Sequence, residues 1–231
     1  MSRPAALGVL MLETAFPRPF GDIGNRNSWT FPVLYETVAG ASVERVVSNA
    51  AHGLIEPFLA AGHRLIERGA IGVATSCGFL ARHQQALAEG LRVPVASSAL
   101  LQVGWVERLL PPGRRVGILT FDADALDNET LAAVGVPLDT PRVGLPRGGR
   151  LRATIAGDLP ALDREAAVAE VLESGRRLCE RHPQVVAIVL ECTNLPPYRT
   201  ALAAATGRPV YDIGTLLPWF WHGLSAANPP G

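Results

Sequence analysis

The sequence predicts an α/β protein of two similar lobes, each a parallel-rich sheet flanked by helices, related by pseudo-twofold symmetry. Three observations carry that expectation. Short apolar runs alternate with longer helical patterns, the rhythm of parallel strands with covering helices. The runs "AIGVAT" (Ala70–Thr75) and "VVAIVL" (Val185–Leu190) are apolar without alternation, as strands covered on both faces are. The stretch that begins at Cys77 aligns without gaps on one that begins at Cys192, sharing a Leu, an Ala-Leu-Ala and a Pro-Val at the same distances.

Taken in order, the strands are expected at Leu7–Leu12, Ala70–Thr75, Val93–Ala96, Arg115–Thr120, Val185–Leu190 and Pro209–Tyr211. Helical spacing covers Val43–Arg68, Leu80–Gly90, Ala99–Leu110, Ala123–Val134, Leu162–Arg181, Tyr198–Thr206 and Thr215–Leu224. Two segments break the rhythm: Glu13–Val38, rich in Pro, Gly and Asn, and Val143–Pro160. Both read as long loops. The first follows a strand's C-terminal end, where open α/β sheets bind ligands, and is expected to face a substrate.

The repeat is specific. "CGFLARHQQALAEGLRVPV" lies over "CTNLPPYRTALAAATGRPV" without gaps, so that Pro94-Val95 meets Pro209-Val210. Upstream, "LGVLMLE" (Leu7–Glu13) resembles "VGILTFD" (Val116–Asp122), with an offset smaller by six residues. An internal duplication follows, with residues 1–98 and 214–231 as the first lobe and residues 99–213 as the second. Facing lobes would bring both cysteines to one cleft. At the start of a helix each thiol would be drawn from about 8.5 towards neutrality, and the same N–H groups could hold a carboxylate.

Composition narrows the chemistry. All 21 basic residues are arginine, so no lysine is present to hold pyridoxal phosphate as an imine or to complete a phosphate-binding P-loop. A net charge of zero without a basic run argues against nucleic acid. No apolar run approaches the ~20 residues of a membrane span. Three cysteines without a C-x-x-C pair fit a reducing cytoplasm and argue against structural zinc. Of the three, Cys179 falls at helical spacing with Val171, Leu172, Gly175 and Leu178, and reads as core. No histidine has metal-ligand spacing, and "WFWHG" near the C-terminus reads as packing or as the subunit contact of a homodimer.

"TSCGF" around Cys77 and "LECTN" around Cys192, each ending a buried strand in a repeated unit, resemble the aspartate/glutamate racemase superfamily over nearly the whole chain. The resemblance implies a cofactor-independent, two-base mechanism without a metal. Cys77 and Cys192 would act as catalytic acid and base on opposite faces of the carbon beside a small substrate's carboxylate. An amino acid such as aspartate or glutamate is the default substrate. Ser76, Gly78, Phe79, Thr193 and Asn194 would bind that carboxylate, with Glu13 and Asp122 as equivalent polar residues at strand ends and Asn25 from the first long loop. Asp22, Asn25 and Asn27 of that loop could hydrogen-bond a polar substrate, with turn formation the favoured reading for each singly. Ser97 and Asp212 are helix caps or cleft residues. Glu191, pointing away from the thiol by strand alternation, is left out of the mechanism. Two features differ from amino-acid racemases: Gly78-Phe79 stand where glutamate racemases have Asn-Thr, and Asn194 where a His or Glu is usual. "CTNL" is also similar to the maleate isomerase and arylmalonate decarboxylase branch, and hydantoin racemases form a further two-cysteine branch. A two-lobed binding protein without catalysis is the alternative of another class.

Overall fold

A computed structural model describes residues 5–227. The ends of the first lobe as delimited above, residues 1–4 and 228–231, lie outside the described residues. The chain runs through β1 (Ala6–Leu12), β2 (Val33–Val38), α1 (Val43–Val47), α2 (Ile55–Glu67), β3 (Ala70–Thr75), α3 (Gln84–Leu91), β4 (Val95–Ala96) and α4 (Val103–Leu109). The second half repeats the plan with β5 (Arg115–Thr120), α5 (Asn128–Ala133), β6 (Arg142–Gly144), α6 (Arg150–Ala156), α7 (Arg164–Arg181), β7 (Val185–Leu190), α8 (Arg199–Thr206), β8 (Val210–Tyr211) and α9 (Ile213–Ala226).

These strands form two parallel four-stranded sheets of the same order, β2-β1-β3-β4 and β6-β5-β7-β8. The likeness extends to irregularities. The pairing of β1 with β3 shifts register between Ala6 and Leu7, and that of β5 with β7 shifts at the equivalent Arg115 and Val116. α3 and α8 both end on a left-handed residue, Arg92 (φ 55°) and Gly207 (φ 63°). Glycine takes that conformation freely, whereas an L side chain is strained there.

The final helix of each unit is exchanged between the lobes. α9 follows the second sheet but packs Ile213, Leu216 and Leu217 on Leu7, Val9 and Ala74 of the first. A single larger apolar cluster runs through both lobes, joining Leu10 and Val73 to Val116 and Leu190. No helix among the described residues is long and apolar enough to cross a membrane.

Both segments expected as loops contain regular structure. β2 is an edge strand whose middle, "LYET", stays partly exposed, so it lacks the apolar signature of β1 and β3. β6 has only three residues. α6 starts directly after two glycines, and its first N–H groups are capped by the distant Glu170 carboxylate (Arg150 N to Oε1, 2.5 Å; Leu151 N to Oε2, 3.1 Å). No local signal announces such a cap. The single helix expected over Val43–Arg68 is broken between α1 and α2, where Ala50, Ala51 and Gly53 take positive φ. The helices expected at Leu80 and Ala99 begin as 3-10 turns (Gly78–His83 and Ala99–Gln102). The one expected at Ala123 starts only where Asp127 caps α5.

The two sheets meet where β3 and β7 end. There the Thr193 hydroxyl donates to the Ser76 carbonyl across the junction at 2.5 Å, with both residues buried. Losing a buried donor strands its acceptor and costs about 1–3 kcal/mol. Thr193→Val is therefore expected to lower unfolding free energy by that amount in a urea titration, and an unchanged midpoint would show that the bond contributes nothing.

Candidate active site

Cys77 and Cys192 each stand two residues past a central strand, β3 or β7. Cys77 caps a 3-10 turn (Gly78–His83), and Cys192 starts a single hydrogen-bonded turn closed by Leu195 N to Cys192 O, ahead of a 3-10 turn at Pro196–Tyr198. In both repeats the intervening residue is still tied to the sheet, Ser76 N to Leu10 O and Glu191 N to Leu119 O, each at 2.9 Å. The cysteines are thus delivered at equivalent sheet edges, and both line one narrow crevice between the lobes. Its cavity volume is about 20 Å³, so the walls stand close together. Phe16, Phe79 and Phe121 supply aromatic surface, and Leu12, Val43, Val47 and Ile155 supply aliphatic surface. Ser76, Gly78, Thr193 and Asn194 also line it.

A strap from the first long loop closes one side. Its Ala15 and Phe16 N–H groups donate to Oδ1 of Asp158 in the other lobe, at 2.7 and 2.8 Å. Arg18 of the strap donates to Asp22 Oδ1 (2.9 Å) and to Thr14 (2.8 Å). The buried Asp22 in turn accepts from Asn194 Nδ2 at 2.7 Å. Asn194 Oδ1 lies 3.6 Å from the Cys192 sulfur, which donates to it. Arg18, Asp22, Asn194 and Cys192 therefore form one polar chain along an otherwise apolar wall.

Three expected site residues lie elsewhere. Glu13 is exposed and accepts the Gly40 N–H at 2.8 Å. Asp122, its equivalent, pairs with Arg152 and accepts from the Asp124 and Ala125 N–H groups. Both acids close the loops that follow their strands. Asn25 caps a turn through Asn27 N and donates to Arg18 O, shaping the strap without lining the crevice. Asp212 likewise completes a capping box with Thr215 at the start of α9. Cys179 is half-buried on α7 and packs against the core.

Glu191, set aside on strand alternation, does line the crevice. β7 ends at Leu190, and the fully buried Glu191 carboxyl turns to meet Gly78. A side chain at position 78 would collide with its Oε1 and carbonyl oxygen, so only glycine fits. Oε2 accepts from the Thr120 hydroxyl at 2.7 Å, and the Phe121 N–H also donates to the carboxyl. Oε1 has no partner among the described residues. Burial raises the Glu191 pKa to about 7, against the opposing pull of those two donors.

The thiols do not titrate as expected. Burial, and then the Glu191 charge, push Cys77 up to about 12 and Cys192 well above its ordinary value. The N–H groups of Phe79 and Asn194 pull the other way, and Arg18 further favours a Cys77 thiolate. The short 3-10 turn after Cys77 and the single turn after Cys192 carry too little aligned dipole to offset removal from water. The sites are also unequal: Arg18 favours ionisation of Cys77, whereas Asp22 opposes that of Cys192.

No family model matches the chain. Solved structures of unliganded arylmalonate decarboxylase (19% identical, TM-score 0.58, 96% of this chain and 92% of that one) and of Francisella tularensis glutamate racemase with D-glutamate (15%, TM-score 0.63, 97% and 82%) share its architecture. The chain thus shares the two-lobed α/β fold of these decarboxylase and racemase structures. By sequence it is similar to dimethylsulfoniopropionate lyases. That of Durusdinium sp. clade D is 27% identical over 228 residues, covering 95% of this chain and 75% of the relative. Emiliania huxleyi lyases 3 and 5 are 29% and 27% identical, and 90% and 97% of this chain covers 56% and 46% of them. The chain thus spans about half to three quarters of these relatives. All of these relatives and neighbours are enzymes.

The raised Glu191 pKa makes a stability prediction. Below pH 4.5 the carboxyl is protonated in both folded and unfolded chains. Between 4.5 and about 7 only the unfolded chain releases the proton, so stability falls as pH rises, and above that window the loss is constant. At about 1.4 kcal/mol per unit the loss is on the order of 3 kcal/mol. Glu191→Gln should therefore gain stability over the wild type through that window in denaturant titrations; a pH-independent difference would contradict the assignment.

Proposed function

We propose that the chain is a cofactor-independent enzyme that removes the proton beside the carboxylate of a small acid, using its paired cysteines. The observation that carries this reading is that two thiols from equivalent strand ends line one crevice. In this reading Cys77 is the base, because the Phe79 N–H and Arg18 favour its thiolate. Cys192, donating to Asn194, is the thiol held protonated.

The overall reaction best supported is β-elimination of the kind named for the sequence relatives, with dimethylsulfoniopropionate as the substrate to test. The Cys77 sulfur takes the proton from the carbon next to the carboxylate. The C–H electrons form a carbon–carbon double bond, and the sulfonium leaves with its bonding pair as neutral dimethyl sulfide, giving acrylate. Three aromatic rings in the crevice suit a soft cation. The second carboxylate and ammonium of aspartate or glutamate would find fewer partners, because the one arginine of the crevice is committed to Asp22.

A second reading, racemisation, is favoured by the second thiol, since inversion needs an acid on the opposite face of the carbon. The two readings assign Cys192 different importance. Elimination expels a neutral sulfide and needs no proton donor. With dimethylsulfoniopropionate, Cys77→Ser is expected to lose at least about 100-fold in dimethyl sulfide release, and Cys192→Ser far less. A racemase would instead exchange the α-hydrogen of both enantiomers of an amino acid in heavy water and need both thiols for inversion. Full activity in the Cys77→Ser, Cys192→Ser double variant would remove the basis of either reading.

A further inference from the structure

Glu191 is a buried acid with no cationic partner among the described residues that line the crevice. Burying an unpaired carboxylate is costly, and such a group keeps its proton where it can. The hydrogen bonds indicate which oxygen bears it. Oε2 already accepts from Thr120, whereas Oε1 is buried with no partner. A neutral carboxyl with its proton on Oε1 satisfies the first oxygen as a carbonyl and leaves the second as a donor without an acceptor. Oε1 lies against Gly78, the residue after Cys77, and both Glu191 and Gly78 are among the residues that line the crevice.

We propose that the missing acceptor is the substrate: neutral Glu191 donates its Oε1 proton in a hydrogen bond to the substrate's carboxylate, and so serves as a further catalytic residue and selects for carboxylic acids. This deepens the reading of the site as one that deprotonates the carbon beside a carboxylate, and rests on it. As that carbon loses its proton, charge moves onto the carboxylate oxygens, so the bond is stronger in the transition state than in the ground state. The proton stays with Glu191 throughout. Neutrality has a second effect, because the Glu191 charge is one cause of the raised pKa of both thiols. An uncharged Glu191 thus eases formation of the thiolate while binding the anion.

Other charged groups leave this arrangement to Glu191. Arg18 and Asp22 on the strap answer each other, and Arg152, over the Phe121 ring, is paired with Asp122. The end of β5 presents only the Thr120 hydroxyl and the Phe121 N–H, and the titratable groups beside Glu191 are the two thiols. With a Glu191 pKa of about 7, a bound carboxylate should lose its donor and meet a like charge as the solution turns alkaline.

Binding of propionate, which has no leaving group, tests this by calorimetry between about pH 6 and 9. Wild-type affinity is expected to approach a tenfold fall per pH unit above about 7. Glu191→Gln keeps an N–H donor of the same shape but cannot ionise, and should hold its affinity within about threefold over that range. Glu191→Asp should bind less tightly yet keep the fall. Equal profiles in wild type and Glu191→Gln, a flat wild-type profile, or no propionate binding at about pH 6 would each overturn the proposal. Because the assay needs no turnover, the two readings fail separately: the predicted binding profile without α-proton chemistry sinks only the proposed reaction, and turnover with pH-independent binding sinks only the role of Glu191.

Discussion

The structure depends on a reciprocal contact at the junction of the two lobes. The residue after each cysteine packs on the residue before the other. In one direction, Thr193 donates to the Ser76 carbonyl. In the other, Gly78 lies against the Glu191 carbonyl and carboxyl oxygens. This crossed pair fixes the ends of β3 and β7 relative to each other. It thereby sets two sulfur atoms on one crevice, with no disulfide among the described residues joining the two strand ends. The exchanged helix α9 and the shared apolar cluster support the junction from behind.

Symmetry supplies the two thiols, and departures from symmetry distinguish them. Ser76 and Glu191 are equivalent positions, and each accepts a backbone N–H from the neighbouring strand end, from Leu12 and Phe121 respectively. The serine ends there; the glutamate is long enough to enter the crevice. Gly78 and Thr193 are likewise equivalent, and the glycine makes the space that the larger acid fills. The strap brings Arg18 and Asp22 only from the first lobe, so the two thiols sit in different fields. A duplicated scaffold of this kind brings two thiols to one crevice in two different settings.

Much of this was legible in the residues. β3, β5 and β7 are central, covered strands, and their unbroken apolar runs mark their bounds to the residue. The cysteine pair was legible because the repeat runs through it. β2, β6 and α6 were not, since an edge strand needs no continuous apolar run and the cap of α6 comes from Glu170 on another helix. The strap was legible as a loop after a strand's C-terminal end, but Phe16 and Arg18 are placed by bonds to Asp158 and Asp22 that no local pattern announces. Glu191 was within reach: the repeat aligns it with Ser76, and the glycine after Cys77 marks a place where something large approaches. Alternation misled because β7 ends one residue earlier. Glu13 and Asp122 were correctly matched to each other, yet both close loops outside the crevice.

The central claim, that both sulfurs address one carbon, is tested most directly by a crystal structure with a small unreactive carboxylate bound near pH 6. The account predicts the carboxylate in the crevice, with the adjoining carbon within about 3.5 Å of the Cys77 sulfur and the Cys192 sulfur facing it from the other side. A ligand bound outside the crevice, or one whose carbon meets neither sulfur, would contradict it.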